Sequence, residues 1–211
     1  MNPWDERFGG EGYAYGTEPS RWLVENAGRI PRGLPVLALG EGEGRNGVFL
    51  AGLGLDVEAV DGSPVGLAKA RLLASSRGVS LRTTVADLAD FVPAPVRYGA
   101  VVLVFLHLPP PLRATVHSRA AAALAPGGLV VLEAFTPRQL AHSSGGPRQE
   151  DMLYDPATMR GDFPGVEWDV LEETEVDLDE GPLHRGRAAL VRGLGARRTL
   201  PPPPGSQGGR S

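Results

Sequence analysis

The sequence predicts an α/β fold, a doubly wound, mostly parallel seven-stranded sheet that ends in a C-terminal antiparallel hairpin. Three observations carry this. Short apolar runs alternate with stretches of helical spacing through residue 135. The first apolar run ends directly in glycines. The last two apolar segments follow one another with no helix between them.

Trp22, Leu23, Asn26, Ala27 and Ile30 fall on one helical face, after a cap region at Thr17–Ser20. Pro35–Leu39 is a buried strand, Arg45–Leu53 a helix and Leu55–Val60 a second strand. Pro64–Ser76 is a helix with proline at a natural first-turn position. Val79–Val85 is the third strand. Gly99–Phe105, nearly all apolar, reads as a fourth strand covered on both faces. Pro111–Leu124 is a helix stopped by Pro126-Gly127-Gly128, and Leu129–Phe135 is the fifth strand. Val166–Leu178 and Leu183–Val191 form the hairpin, joined by Asp179-Glu180-Gly181-Pro182. Between the fifth strand and the hairpin, 136–165 is a long connection of the kind that covers a site. Residues 1–195 thus read as one domain. The Pro/Gly-rich tail, 196–211, lacks the apolar content to order itself.

Composition narrows the function. A net charge of −4 disfavours a general nucleic-acid binder. Nearly all the positive charge is arginine, with Lys69 the only lysine. The absence of cysteine excludes disulfides, thiolate metal sites and cysteine nucleophiles. The four histidines lack metal-ligand spacing, so no metal is expected. No apolar run reaches 18 residues and the first ten residues do not resemble a secretory signal. A cytoplasmic protein with no membrane partner is the expectation, as a monomer or homodimer.

Gly40, Gly42 and Gly44 follow the first strand, where the lack of side chains lets backbone turn tightly against a ligand. The helix that begins at Arg45 offers free N–H groups there. Asp61 ends the second strand, placed to accept both hydroxyls of a ribose. Asp87, followed by Leu88, lies just past the third strand, where a carboxylate can accept from an adenine amino group. A rival reading exists, because residues 42–47 match G-x-G-x-x-G, the dinucleotide fingerprint. Against NAD stand Glu41 and Glu43, which would repel a pyrophosphate, an Asp87 without a task, and the terminal hairpin.

Three segments together resemble the class I S-adenosylmethionine-dependent methyltransferases, a Rossmann-like fold, over about residues 4 to 193. They are Val36–Asn46, Ala59-Val60-Asp61-Gly62-Ser63 and Leu124–Leu129. The resemblance implies cofactor contacts from Gly40, Glu41, Gly42, Gly44, Arg45, Asn46, Asp61, Gly62, Ser63, Asp87, Leu88 and Val104. The Arg45-Asn46 pair, Leu183-His184-Arg185, Trp4–Phe8 and Tyr13–Pro19 further resemble the tellurite-resistance (TehB-like) and thiopurine methyltransferase-like branch. In that branch the N-terminal segment closes over the cofactor, which brings in Tyr13. One departure stands out: the family's usual acid on the first strand is replaced by Ala38. Glu41 or Glu43 is left to supply negative charge, with Glu41 favoured.

The implied activity is methyl transfer from S-adenosylmethionine, leaving S-adenosylhomocysteine, to a small-molecule acceptor such as a thiol or a chalcogen oxyanion. The acceptor side is expected from Phe105 and His107 past the fourth strand, Arg148 and Tyr154 in the long connection, and Arg185 in the hairpin. His184, as general base or cationic clamp, and Arg187 are the catalytic candidates. His107 alternatively caps the fourth strand or packs under the connection, while His117 and His142 are expected at the surface. The competing functions are a protein that holds S-adenosylmethionine without transferring a methyl group, and an NAD-dependent oxidoreductase.

Overall fold

A computed structural model describes residues 2–198. Seven strands form one sheet: β1 (Val36–Leu39), β2 (Val57–Asp61), β3 (Arg82–Val85), β4 (Tyr98–Val104), β5 (Leu124–Phe135), β6 (Val166–Asp179) and β7 (Arg185–Arg197). Their spatial order is β3-β2-β1-β4-β5-β7-β6. The first five run parallel, and β7 inserts antiparallel between β5 and β6. This is the predicted architecture. The strand order reverses between β1 and β4, which opens a crevice at the carboxyl edge of the sheet.

Period-two alternation splits the strand residues between two cores. Leu37, Leu39, Val101 and Leu103 point to one face, under α5 (Pro110–Ala123) and α6 (Pro156–Asp162). Val36, Ala38, Ala100 and Val102 point to the other, under α2 (Arg21–Asn26) and α3 (Arg45–Gly52). The helix α4 (Pro64–Ser76) packs against α3 and β2 on that second face. Ser20 caps α2 through its side chain, as the cap region predicts.

Several boundaries differ from the sequence reading. A short helix, α1 (Pro3–Phe8), precedes everything expected, and α6 lies inside the 136–165 connection. Pro126-Gly127-Gly128 does not stop a helix. It forms an irregularity within β5, with Gly127 at φ +77°, where pairing to β4 jumps from Leu124 to Leu129. The strand β7 runs six residues past Val191 to Arg197, because it pairs with β5 as far as Ala196. It therefore takes in the first two residues assigned to the tail. The rest of that tail, from residue 199, lies outside the described residues. Among the described residues no helix is long and apolar enough to cross a membrane.

Candidate functional site

The crevice holds a cavity of about 780 Å³ at the carboxyl ends of β1, β2, β4 and β5. Gly40, Glu41, Gly42, Arg45, Asn46, Asp61 and Gly62 line one end of it. Asp87, Leu88, Val104, Phe105, His107 and His184 line the remainder, so the structure brings thirteen of the sequence candidates to one space.

Asp61 is buried at the tip of β2. Its Oδ2 accepts from the Gly42 N–H at 2.8 Å and its Oδ1 from the Ser63 N–H at 2.7 Å. One carboxyl group thereby ties the glycine loop to the turn after β2. Burial raises its pKa against the pull of these two bonds. Asp87 stays exposed at the cavity, one oxygen accepting from the Ala89 N–H.

The two glutamates of the loop do not point a bare negative charge into the cavity. Glu41 folds back, and its Oε1 accepts from the Gly47 N–H at 2.5 Å, in the first turn of α3. Burial pushes its pKa up to about 7. Glu43 accepts from the Ala14 N–H at 2.7 Å and pairs with Lys69 at 2.9 Å. Lys69, the sole lysine, also donates to the Gly10 and Gly12 carbonyls. The repulsion of a pyrophosphate therefore works differently from the sequence argument. Glu43 is neutralised by a partner, whereas Glu41 occupies a donor at the helix end where a phosphate would bind. Ala38 lies wholly buried within the sheet.

The N-terminal segment forms a strap over this end. The Asn2 side chain donates to the Gly62 carbonyl at 2.7 Å, and the Ser63 hydroxyl donates to Asp5 at 2.5 Å. Phe8 is buried against Gly42 and Gly66. At the other end, Arg45 and Glu180 form a buried pair at 2.9 Å that joins α3 to the hairpin tip. Gly181 meets the backbone of Tyr15 so closely that any side chain there would collide. Strap, glycine loop and hairpin thus meet around one space.

His184 is 4% exposed and its Nδ1 is buried without a partner. Its ring packs on Phe105 at 4.3 Å, Tyr15 at 4.6 Å and Phe135 at 5.5 Å. Burial, then the nearby Arg45, His107 and Arg7, hold its pKa at about 3. The ring is neutral at ordinary pH, so the cationic clamp expected from sequence is not what the structure contains. His107 is committed on both sides. The Phe135 N–H donates to its Nε2 at 3.2 Å, which leaves Nδ1 as the donor to the Met152 carbonyl at 2.7 Å. Burial lowers its pKa to about 4.

Seven candidates lie off this cavity. Gly44, at φ +93°, begins α3 and lets that helix approach Ala70 of α4, where a Cβ would clash. Ser63 caps α4. Tyr13 packs beside Val48 and Leu73 and donates to the Lys69 carbonyl. Tyr154 is buried behind His107 and accepts from the Leu108 N–H. Arg148 donates to the His142 carbonyl at the surface. Arg187 is half exposed and paired with Glu175 at 3.0 Å, and Arg185 pairs with Asp179 beside a smaller adjoining pocket. These arginines extend toward solvent because they lie at the hairpin end of β7, where residues 185–187 are all exposed before the strand enters the core at Ala188. His117, expected at the surface, is fully buried against Phe163 and bonded to Asp162.

Sequence reasoning missed Arg7 and Glu180 as site residues and Lys69 as the strap's anchor. The Asn2-Pro3 start of α1 was a readable cap signal. The other two depend on contacts across more than 25 residues and left no local mark.

Comparisons with known proteins bear on the fold that holds this cavity. Residues 36–128 match a family model described as a methyltransferase domain. No curated protein matches the chain. Among solved structures, one from work on conversion of a disulfide bond into a thioacetal group during echinomycin biosynthesis superposes with a TM-score of 0.73. It is 19% identical, with 91% of this chain and 86% of that chain covered. TehB from Haemophilus influenzae gives 0.66 at 20% identity, with 83% of this chain and 61% of that one covered. Magnesium protoporphyrin IX methyltransferase from Synechocystis PCC 6803, with bound SAH, gives 0.61 at 21% identity, with 83% and 78% covered. The fold is the class I methyltransferase fold.

Proposed function

We propose that this protein transfers a methyl group from S-adenosylmethionine to a small-molecule acceptor, in the cytoplasm. The observation that carries the reading is the Glu41 carboxyl on the Gly47 N–H. A dinucleotide site leaves that helix end free for a pyrophosphate. Here a protein carboxyl takes a donor of its first turn, which suits a ligand bearing positive rather than negative charge.

The residues fit that ligand. Asp61 lines the cavity and spends only two of its lone pairs on backbone, so it can accept from ribose hydroxyls as well. Asp87 and the apolar Leu88 and Val104 suit an adenine ring, and Glu41 lies where an ammonium group would favour its ionised form. When bound, the cofactor supplies an electrophilic methyl group on a sulfonium. The chain's own part is to align the acceptor and exclude water. The strap and the hairpin tip roof the cavity, and alignment of this kind can lower a barrier by roughly 7–11 kcal/mol. The ring of His184, neutral with a free Nδ1, can take a proton or a hydrogen bond from the acceptor but cannot clamp it as a cation. Thiols and chalcogen oxyanions remain the favoured acceptors, because a thiol or a chalcogen oxyacid can give up its proton to water before it binds, and the resulting anion needs no strong base from the protein. The resemblance to the TehB-like branch points the same way.

A second reading, a protein that binds the cofactor without transfer, draws on Ala38, which leaves β1 without the family's acid. A turnover assay over thiols, chalcogen oxyanions and phenols separates the two. Methylated product supports transfer, and cofactor binding with no product from any acceptor supports the second reading.

A further inference from the structure

Beside His184 lies a smaller annex of about 240 Å³. Arg7, Tyr15, Gly146 and His184 face both the annex and the main cavity, so the two are adjoining rooms of one site. The annex differs in charge. Two guanidinium groups, Arg7 and Arg185, line it, and no acidic residue does among the described residues. Arg7 forms no ion pair among the described residues. Its Nη1 donates to the Tyr15 hydroxyl at 3.0 Å and its guanidinium lies over the Trp4 ring. Arg185 has only Asp179, and both side chains are about three-quarters exposed, where a pair holds weakly. The buried His184, with its unpartnered Nδ1, lines the annex together with them. The main cavity holds the acidic residues instead, Glu41, Glu43, Asp61 and Asp87, and Phe105 and Phe135 are also part of its lining.

We infer that the annex binds a compact anionic group, such as a carboxylate, carried by the methyl acceptor, with Arg7 as its anchor and Arg185 at its outer edge. The inference rests on the methyl-transfer reading for the word acceptor. The acceptor is then bipartite: its apolar body lies along Phe105 and Phe135, and its charged end fixes which atom faces the methyl group. A planar guanidinium suits this task, because it meets a carboxylate with two parallel bonds and so fixes orientation as well as position. Arg7 belongs to α1, which Asn2 and Asp5 clasp to Gly62 and Ser63 beside Asp61. The anion site is therefore complete only while the strap is seated over the cofactor end.

The test is calorimetric titration of the full chain with hydrocinnamate and with its neutral amide, which share a shape and differ in charge. Each is titrated with and without saturating S-adenosylhomocysteine. The carboxylate is expected to bind about tenfold or more tightly than the amide, as charge-assisted bonds are roughly twice as strong as neutral ones. Arg7→Met should abolish that preference, and Arg7→Lys should restore part of it. Equal affinities, binding of neither probe, or a preference that survives Arg7→Met overturns the assignment. Should Arg7→Met fail to fold, Arg185→Met decides, and a preference it leaves intact overturns the assignment as well. The two readings fail separately. A chain that ignores S-adenosylhomocysteine but prefers the carboxylate refutes methyl transfer alone. One that binds S-adenosylhomocysteine and ignores probe charge refutes the anion site alone.

Discussion

Glu41 accepts the Gly47 N–H at 2.5 Å, so the helix that follows the glycine loop is capped from within by a carboxyl group held near a pKa of about 7. Its folded pKa lies above its unfolded value of 4.5, so the folded state holds this proton more tightly. The stability it contributes is complete below the unfolded value and is lost as pH rises through about 7. Glu41→Gln keeps an acceptor for Gly47 and cannot ionise. Unfolding free energies from urea titrations at about pH 5 and about pH 8 should fall more in the wild type than in the variant, by on the order of 3 kcal/mol. The same pH dependence in both chains would mean that Glu41 is ionised throughout.

Asp61 bonds two backbone N–H groups, so its loss acts on the fold, and under the proposed function on the ligand as well. Asp61→Ala should cost about 1–3 kcal/mol for each orphaned N–H. It should also weaken S-adenosylhomocysteine binding by about tenfold or more, because buried hydroxyls would lose their acceptor. Calorimetry at a temperature where the variant is folded separates the effects. Unchanged affinity would remove Asp61 from the cofactor site.

Lys69 holds two carbonyls of the strap and the Glu43 carboxyl at once. Lys69→Met should loosen residues 9–16 and leave the sheet intact. Amide hydrogen exchange over that stretch should rise while the core strands stay protected. Cofactor release should also quicken. Protection equal to that of the wild type would show that Phe8 and Asp5 seat the strap unaided.

His184→Ala should lower turnover and leave S-adenosylhomocysteine affinity intact, because the ring packs against Phe105 and Phe135, where the proposed function puts the acceptor. A parallel loss of both would make His184 a structural residue. With its pKa depressed to about 3, the ring stays neutral down to that value, so it puts no limb in a rate profile at neutral pH. A limb near the ordinary histidine value that disappears in the variant would contradict this.

Much of the fold was legible because its signals are local. The helix Pro64–Ser76 matches its observed bounds, since proline at its start and the serine before it mark the cap chemically. Asp61 and the glycines were legible for the same reason, as turn residues at strand ends. The short helices α1 and α6 escaped because six or seven residues carry little hydrophobic periodicity, although Asn2-Pro3 and Asp155-Pro156 are cap signals. The arginines were the hardest to place. Arg185 and Arg187 sit beside His184 in sequence, yet their register on β7 sends them to surface partners. Arg7, far away in sequence, reaches the cavity only because the strap folds over it. Charge at a distance leaves no pattern in the residues around it.

The central claim is that Asp61, Asp87 and the Glu41-capped loop select S-adenosylmethionine over a dinucleotide. Side-by-side calorimetric titration of the purified chain with S-adenosylhomocysteine and with NADH tests it most directly. Saturable binding of S-adenosylhomocysteine, weakened by Asp61→Ala, with no response to NADH is the predicted result. Tight NADH binding with no response to S-adenosylhomocysteine would contradict it.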